Sequence, residues 1–399
     1  MMIIKEVKAR AIKDSRKDKT VEVLIKTDFG LFVSASPSGK SKGRYEVPSY
    51  KNKLDLDIQV LENFSDRISK LRINNFPDLK KVENIVGSKI GANTLYAFET
   101  SILKALATEQ NLSLWEFINK KAKKFPNPVG NCIGGGLHTN LFRGKKPDFQ
   151  EFLVIPKAKR FADSVFLMRK IHKILGDELR VRKALGERND ENAWSTNLND
   201  EQVLEIVKKV KEDVENQIGW DIDIGLDIAA SSFYTGMVYY YKNPVKRLKQ
   251  KEQINYVLDL IDKYNLDYVE DPLSEEDFSG FNQIRNKAVR VRPTNIIVGD
   301  DLTVSSVERF KKAMKNKSIN AIIIKPNQIG SLLKIKELVN LAKKKSIKTV
   351  FSHRSGETMD YALADFAFGF QADYIKTGAV GREREVKLGR LVDVEGSLG

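Results

Sequence analysis

A regular alternation in the second part of the chain most constrains how it can fold. Apolar residues at helical spacing predict amphipathic helices over 250–264, 305–315 and 331–345. Short β-branched runs predict six strands around them, at 221–228, 266–269, 295–298, 320–324, 348–351 and 373–375. Strands that alternate with helices form parallel βα units, and six or more successive units favour a closed barrel over an open sheet. The pattern therefore predicts an α/β fold with a β/α (TIM-like) barrel.

The first part of the chain follows a different pattern. It has predicted strands at 3–11, 20–27 and 30–35, and predicted helices at 56–73 and 92–120. The Phe125-Pro126-Asn127-Pro128 sequence ends the helical pattern, because proline cannot continue a helix. We therefore predict an N-terminal α+β meander-and-helix domain over residues 1–125 and a barrel domain over residues 126–399.

Composition excludes several classes of protein. A chain of 399 residues with 41% hydrophobic residues can bury a sizeable core, which a disordered chain cannot. Its apolar runs are far too short to span a bilayer, and its start lacks the apolar segment and cleavage site of a signal peptide. The single Cys132 cannot form an intramolecular disulfide. We expect a soluble cytoplasmic protein with no membrane partner.

The net charge of +15 raises the question of a nucleic-acid partner, because a concentrated basic surface attracts phosphates. The lysines, however, are spread along the whole chain, with runs at 120–124, 246–251, 311–312 and 343–345. Such runs are typical of solvated helix faces and loops. We therefore expect a solvated surface rather than a nucleic-acid-binding surface.

An ionisable residue stands at or directly after the end of each of the six predicted strands: Asp227, Glu270, Asp300, Lys325, His353 and Lys376. In a β/α barrel these strand ends meet at one face, where catalytic sites are built. A single Asp at such a position is often a helix cap or a turn residue, as Asp271 or Asp301 could be. Six in succession indicate a functional site.

Three of these residues are carboxylates on consecutive strands. As bare anions, Asp227, Glu270 and Asp300 would repel and raise one another's pKa, a conflict that a divalent cation removes. Oxygen ligands without cysteine favour Mg²⁺ or Mn²⁺ over zinc. Lys325 or Lys376, near a metal and a second ammonium, could have its pKa lowered enough to act as a base. The alternative is that both lysines simply pair with the acids.

Nine segments resemble the enolase family in order and spacing, over nearly the whole chain. They are SGKSKG (38–43), KIGANTLYAFETS (89–101), DFQEFLVIP (148–156), LDIAASSFY (226–234), VEDP (269–272), VGDDLTVSS (298–306), IIIKPNQIGS (322–331), FSHRSGET (351–358) and IKTGA (375–379). The resemblance implies an enolase-type barrel and a hydro-lyase of glycolysis and gluconeogenesis. Such an enzyme reversibly dehydrates 2-phosphoglycerate to phosphoenolpyruvate, with two Mg²⁺ ions per site in a homodimer or higher homo-oligomer.

The resemblance also implies a role for each candidate residue. Asp227, Glu270 and Asp300 would hold the first Mg²⁺, and Ser41, on a loop that closes over the site, would bind the second. Lys325 would remove the C2 proton, and Lys376 would hold the enolate-like intermediate. The residues implied to bind the substrate, chiefly its phosphate through the arginine and the serine, are His138, Gln150, His353, Arg354 and Ser355. Glu191 would protonate the departing hydroxyl, with Glu151 as the partner that shares its proton.

Two loops depart from the family pattern. The loop that carries His138 reads Gly-Gly-Gly-Leu-His-Thr-Asn over 134–140, and Asn192 replaces the usual glycine after Glu191. Asparagine is tolerable there if the position is left-handed. Glu187 is a rival for the role of Glu191. These departures leave open an enolase-like relative that acts on another acid, or a basic non-enzymatic relative that binds nucleic acid.

Overall fold

A computed structural model describes residues 2–40 and 43–398 of the chain. The strands of its N-terminal part are β1 (Met2–Ile3), β2 (Glu6–Lys13), β3 (Lys19–Thr27), β4 (Gly30–Ala35) and β5 (Arg72–Ile73). The helices are α1 (Leu54–Asn63), α2 (Ser65–Ile68), α3 (Leu79–Val86), α4 (Ala92–Glu109) and α5 (Leu114–Ile118). Strands β2, β3 and β4 form an antiparallel sheet, which confirms the predicted meander.

Both helices predicted in this part are too long. The segment 56–73 divides into the end of α1, then α2 and β5, because the buried Ile73 pairs with Met2 in a short antiparallel sheet. The segment 92–120 divides because Asn111 adopts a left-handed φ of 54°. Ser113 then begins α5 with a capping box that includes Glu116.

The remaining strands are β6 (Asn127–Gly134), β7 (Glu151–Pro156), β8 (Leu185–Arg188), β9 (Trp194–Thr196), β10 (Ile222–Asp227), β11 (Tyr239–Lys242), β12 (Val245–Leu248), β13 (Tyr268–Glu270), β14 (Ile296–Gly299), β15 (Ala321–Ile324), β16 (Lys348–Ser352) and β17 (Tyr374–Lys376). Eight of them close a barrel in the order β6, β7, β10, β13, β14, β15, β16, β17, with β17 paired to β6. The six predicted strands correspond to β10 and β13–β17. The sequence did not indicate that β7 runs antiparallel to both β6 and β10.

The barrel part also contains α6 (Phe161–Val181), α7 (Asp200–Ile218), α8 (Gln250–Tyr264), α9 (Phe278–Val291), α10 (Val307–Lys315), α11 (Pro326–Ile329), α12 (Leu332–Lys344), α13 (Ala362–Gly369) and α14 (Arg382–Leu398). The three predicted barrel helices correspond to α8, α10 and α12. In the described residues, no helix combines the length and apolarity needed to cross a membrane.

The barrel interior below the strand ends is filled by apolar side chains, including Leu153, Val298, Ile323 and Val350. Tyr268 belongs to this core and donates a 2.6 Å hydrogen bond to Glu270 Oε2, so the core helps to hold this strand-end carboxyl group in place. The N-terminal part borders the same end of the barrel, where Ser38 pairs with Gly356. The domain boundary between residues 125 and 126 stays a prediction.

Candidate active site

The C-terminal ends of the parallel barrel strands and the N-terminal end of the reversed strand β7 enclose a cavity of about 270 Å³. Eleven of the thirteen residues predicted from the sequence line it: His138, Gln150, Glu151, Glu191, Asp227, Asp300, Lys325, His353, Arg354, Ser355 and Lys376. Glu270 lies fully buried beneath the cavity and reaches it through Lys376. Ser41 lies outside the described residues.

Lys376 is the centre of the buried charge network. Its Nζ lies 3.0 Å from Asp227 Oδ2, 2.9 Å from Glu270 Oε2 and 3.1 Å from Glu151 Oε2. These residues meet because β17, β10, β13 and β7 all place their functional residue at the same end of the barrel. One ammonium thus faces three carboxyl groups.

A second ion pair joins Lys325, which follows β15, to Asp300, which follows β14. The other oxygen of this carboxylate, Asp300 Oδ1, is buried and has no hydrogen-bond partner among the described residues. Asp271 accepts hydrogen bonds from the backbone N–H groups of Asp300 and Asp301, so it fixes the turn that carries them. The carboxylates of Asp271, Asp300 and Asp301 lie close enough together to share one cation.

The acidic residues fit a magnesium ion. Burial and the neighbouring charge of Asp227 raise the pKa of Glu270 to about 8, and burial with the charge of Asp300 raises that of Asp301 to about 7. The cost of crowding these groups falls when a divalent cation joins them. The group of Asp271, Asp300 and Asp301 offers carboxylate oxygens, which are the ligands that suit Mg²⁺.

From the sequence we expected a lowered pKa for Lys325 or Lys376, but the pKa values of both lysines are raised. Burial alone would lower the pKa of Lys325, but its ion pair with Asp300 raises it above the ordinary value. The carboxylates of Asp227, Glu151 and Glu270 likewise outweigh burial and hold the pKa of Lys376 well above its usual range. Without a cation both lysines are therefore charged partners of the acids.

Glu151 and Glu191 form a pair of buried carboxyls beside two histidines. Glu191 Oε1 lies 3.1 Å from His138 Nδ1, and its Oε2 lies 3.7 Å from His353 Nε2. Burial and the charge of Glu191 raise the pKa of Glu151 well above its usual range. Burial would raise that of Glu191 too, but His353, His138 and Arg384 hold it well below. The pKa values of the two carboxyls are thus shifted in opposite directions.

Glu46 is a site residue that sequence reasoning missed. Its carboxylate accepts two 3.1 Å hydrogen bonds from the guanidinium of Arg354, although the two residues are 308 positions apart. Gly39 packs on the same guanidinium, since a Cβ there would lie 1.9 Å from Arg354 Nη2. Arg16 is a second missed residue, and donates a 2.9 Å hydrogen bond to Ser355 Oγ. The only sequence signal for Glu46 was its place just after the SGKSKG segment.

The two departing loops are ordered around these groups. Asn192 adopts a left-handed φ of 64°, the condition under which asparagine can replace glycine. Glu187 is exposed and does not line the cavity, whereas Glu191 is buried within it. In the other loop, Lys146 Nζ donates a 2.7 Å hydrogen bond to the carbonyl of Thr139, one residue after His138.

His172 is buried in α6 and contacts the loop of Glu191. Its Nε2 lies 3.0 Å from the carbonyl oxygen of Asn192. Its ring stacks on Trp194 with centroids 5.1 Å apart, and Trp194 Nε1 donates back to the carbonyl of His172. Burial lowers the pKa of His172 to about 4, so the ring is neutral at pH 7 and Nε2–H can be the donor.

Comparison with known proteins agrees with this arrangement. Residues 4–118 match the family model described as "Enolase, N-terminal domain", and residues 122–399 match "Enolase, C-terminal TIM barrel domain". A protein named Enolase from Natronomonas pharaonis is 37% identical over 99% of both chains. One from Methanosphaera stadtmanae is 36% identical over 99% of this chain and 97% of its own. One from Pyrobaculum aerophilum is 35% identical over 100% of this chain and 97% of its own. With both domain models matched and full-length similarity to these relatives, the chain belongs to the enolase family.

Proposed function

We propose that this protein catalyses the reversible, Mg²⁺-dependent dehydration of 2-phosphoglycerate to phosphoenolpyruvate. The observation that carries the proposal is the placement of Lys325 opposite the pair of Glu151 and Glu191. Lys325 follows β15 and Glu151 begins β7, two strands that are diametrically opposite in the eight-strand order, and all three residues line one cavity. Removal of a proton at C2 and protonation of a hydroxyl at C3 need groups on opposite sides of the substrate.

The carboxylates at the strand ends supply the metal sites. Asp227, Glu270 and Asp300 would hold the first Mg²⁺, and Ser41 would contribute to the second. When bound, the metal supplies positive charge next to the substrate carboxylate, where charge builds up as the proton leaves. Lys376 stands in the same carboxylate cluster and adds a fixed positive charge that stabilises the same transition state.

Proton transfer then depends on the partners that the structure gives each group. Lys325 is an ammonium while it pairs with Asp300, so it must leave that carboxylate and lose its own proton to solvent before its neutral amine can accept the C2 proton. Glu151, whose pKa is raised, would hold the proton that the carboxyl pair shares, within reach of Glu191. Glu191 would act as the acid once that proton is transferred to it. His138 and His353, which contact Glu191, would orient it.

The phosphate would bind at the edge where Arg354 and Ser355 lie, because a guanidinium can make two charged hydrogen bonds to a phosphate. Gln150 donates a 3.2 Å hydrogen bond to Asp227 Oδ2 and would position the substrate at the same cavity wall. A homodimer or higher homo-oligomer and a cytoplasmic location remain predictions from the family resemblance.

The direct test is an assay of phosphoenolpyruvate absorbance with purified protein and 2-phosphoglycerate. Turnover that depends on Mg²⁺, stops with EDTA and is lost in Lys325→Ala would support the proposal. A protein that turns over a different hydroxy acid, but not 2-phosphoglycerate, would be the enolase-like relative instead. A protein that binds nucleic acid and turns over neither class of acid would be the non-enzymatic relative.

A further inference from the structure

Four segments at the N-terminal face of the barrel together contain 15 Lys or Arg residues. This number equals the net charge of the whole chain, +15. The segments lead into β6, β14, β15 and β16, and comprise residues 119–127, 287–295, 311–320 and 343–348. They contain four, three, four and four Lys or Arg residues, and no Asp or Glu. All of these basic residues except Arg292 and Lys348 are exposed. We call these four segments the basic rim.

Hydrogen bonds between neighbouring segments hold the basic rim together. Asn320 Nδ2 donates to the carbonyl of Asn295 at 2.9 Å, and the backbone N–H of Lys348 donates to the carbonyl of Asn320 at 3.0 Å. Asp373, which directly precedes β17, connects to segment 119–127 through a 2.6 Å ion pair with Lys124. Lysine runs that are far apart in the sequence thus lie on one face of the barrel. Neighbouring helices pack about 10 Å apart, so the basic rim follows an arc that is roughly 30 Å long.

Helix capping does not account for this concentration of charge. A lysine in the last turn of a helix interacts favourably with the helix dipole, which explains one or two residues in each of α9, α10 and α12. It does not explain segment 119–127, which lies beyond the end of α5, or the absence of acidic residues from all four segments. Burial lowers the pKa of Lys343 and of Lys348; the carboxylate of Asp373 opposes this shift, and the charge of Lys124 adds to it.

The spread of lysines along the sequence led us to expect a solvated surface, but the fold brings four of the basic segments to one face. We propose that the basic rim binds double-stranded nucleic acid through its phosphates, without regard to base sequence. A duplex carries one negative charge per about 1.7 Å of axis, so an arc of roughly 30 Å meets several phosphates at once. Single strands are bound largely by stacking on aromatic side chains, and the only aromatic residue in the rim, Phe125, is half-buried. A membrane surface would need inserted apolar groups, and the rim exposes only Val291 among its large apolar residues.

Two variants with the same net charge test this proposal. The rim variant carries Lys121→Gln, Lys123→Gln, Lys315→Gln and Lys344→Gln. The control variant carries Lys13→Gln, Lys19→Gln, Lys26→Gln and Lys251→Gln, four exposed lysines outside the rim. Fluorescence anisotropy with a labelled 20-base-pair DNA duplex of mixed sequence, in EDTA and at several KCl concentrations, measures affinity and its salt dependence.

The rim variant should bind the duplex at least tenfold more weakly at about 100 mM KCl. Its slope of log affinity against log salt should be shallower by about 3.6, because each of the four lost phosphate contacts removes about 0.9. The control variant should remain within about twofold of the unmodified protein. Equal weakening in both variants, equal binding of a single strand, or binding only to anionic phosphatidylserine vesicles would overturn the proposal.

The same variants separate this inference from the proposed function. Phosphoenolpyruvate formation by the rim variant should equal that of the unmodified protein, because the rim lies at the opposite end of the barrel from the cavity. Lys325→Ala should lose turnover and keep its affinity for the duplex. Failure of the hydratase assay would thus leave the duplex result standing, and the converse also holds.

Discussion

At the scale of single residues, the site depends on which charged groups are paired before substrate arrives. The sequence placed acids and lysines at the strand ends, but their charge states follow from distances that it does not contain. Asp300 pairs with Lys325 and raises the pKa of that lysine, and Glu46 contacts Arg354 from a distant segment. The sequence therefore identified the ionisable residues at the strand ends one by one, but it did not show which of them form ion pairs or hydrogen bonds with one another.

The metal ligands provide the first prediction. Asp227→Asn, Glu270→Gln and Asp300→Asn should each weaken Mg²⁺ binding at least tenfold, because each removes a charge and alters an oxygen ligand. Isothermal titration calorimetry measures the affinity. Glu187→Gln, at an exposed position outside the cavity, is the matched control and should bind Mg²⁺ normally. Unchanged affinity in all three ligand variants would mean that the cation is held elsewhere.

Glu46 is expected to position Arg354 for the substrate phosphate. Glu46→Gln should raise the KM for 2-phosphoglycerate about tenfold with a smaller change in kcat, because the guanidinium loses its charged, doubly bonded partner. Steady-state kinetics measures both constants, and Glu46→Asp should recover part of the loss. A lower KM in Glu46→Gln would show instead that Glu46 competes with the phosphate for Arg354.

At the scale of elements, the local sequence pattern predicted most of the strands and helices named above. It did not predict strand direction or helix length where contacts between distant residues determine them. The strand-end motifs identified β10 and β13–β17, because apolar strands and amphipathic helices alternate there. The reversed direction of β7 has no local signal, since it follows from pairing with β6 and β10. The division of segment 56–73 likewise depends on Ile73 meeting Met2 at the other end of the domain.

The contact between α6 and the loop of Glu191 leads to a prediction about His172. His172→Leu removes the group that contacts the carbonyl of Asn192, so Glu191 should be held less firmly and kcat should fall about tenfold with little change in KM. His172→Gln offers a replacement donor and should recover part of kcat. Phe166→Leu, at an exposed position of the same helix, is the control. Equal kcat losses in the Leu and Gln variants, or a lower Tm with unchanged kcat, would contradict a positioning role.

Asp200, the first residue of α7, should make stability depend on pH. Burial raises its pKa to about 8 from an ordinary value of 3.8, so the folded state keeps a proton that the unfolded state loses. Stability should therefore fall as pH rises from about 4 to 8, and Asp200→Asn should remove this loss. At 1.36 kcal/mol per pKa unit, the advantage of the variant should grow by up to about 3 kcal/mol between pH 5.5 and 8.5.

The Tm, measured at both pH values, checks this expectation. Asp259→Asn changes an exposed aspartate on α8 and should leave the pH dependence unaltered. In Asp200→Asn, the side-chain amide oxygen can still accept the hydrogen bond that Asp200 Oδ1 accepts at 3.0 Å from the backbone N–H of Phe149, so the fold should be retained. A Tm difference between Asp200→Asn and the unmodified protein that is the same at both pH values would contradict the buried titration.

At the scale of the whole molecule, the two ends of the barrel have opposite character. The C-terminal ends of the strands gather buried carboxylates and lysines around one cavity, and the N-terminal ends carry the basic rim. The sequence indicated the first, because its residues follow strands in regular order. It did not indicate the second, because only the closed strand order brings four separate lysine runs to one face.

The central claim is that Lys325 removes the C2 proton while the Glu151 and Glu191 pair handles the hydroxyl. NMR detection of deuterium entering C2 of 2-phosphoglycerate, with Mg²⁺ in D₂O, tests it most directly. Lys325→Ala should abolish this exchange, since exchange needs only the base and the stabilised intermediate. Glu191→Gln should retain exchange and form no phosphoenolpyruvate. Exchange that persists in Lys325→Ala and disappears in Glu191→Gln would contradict the account.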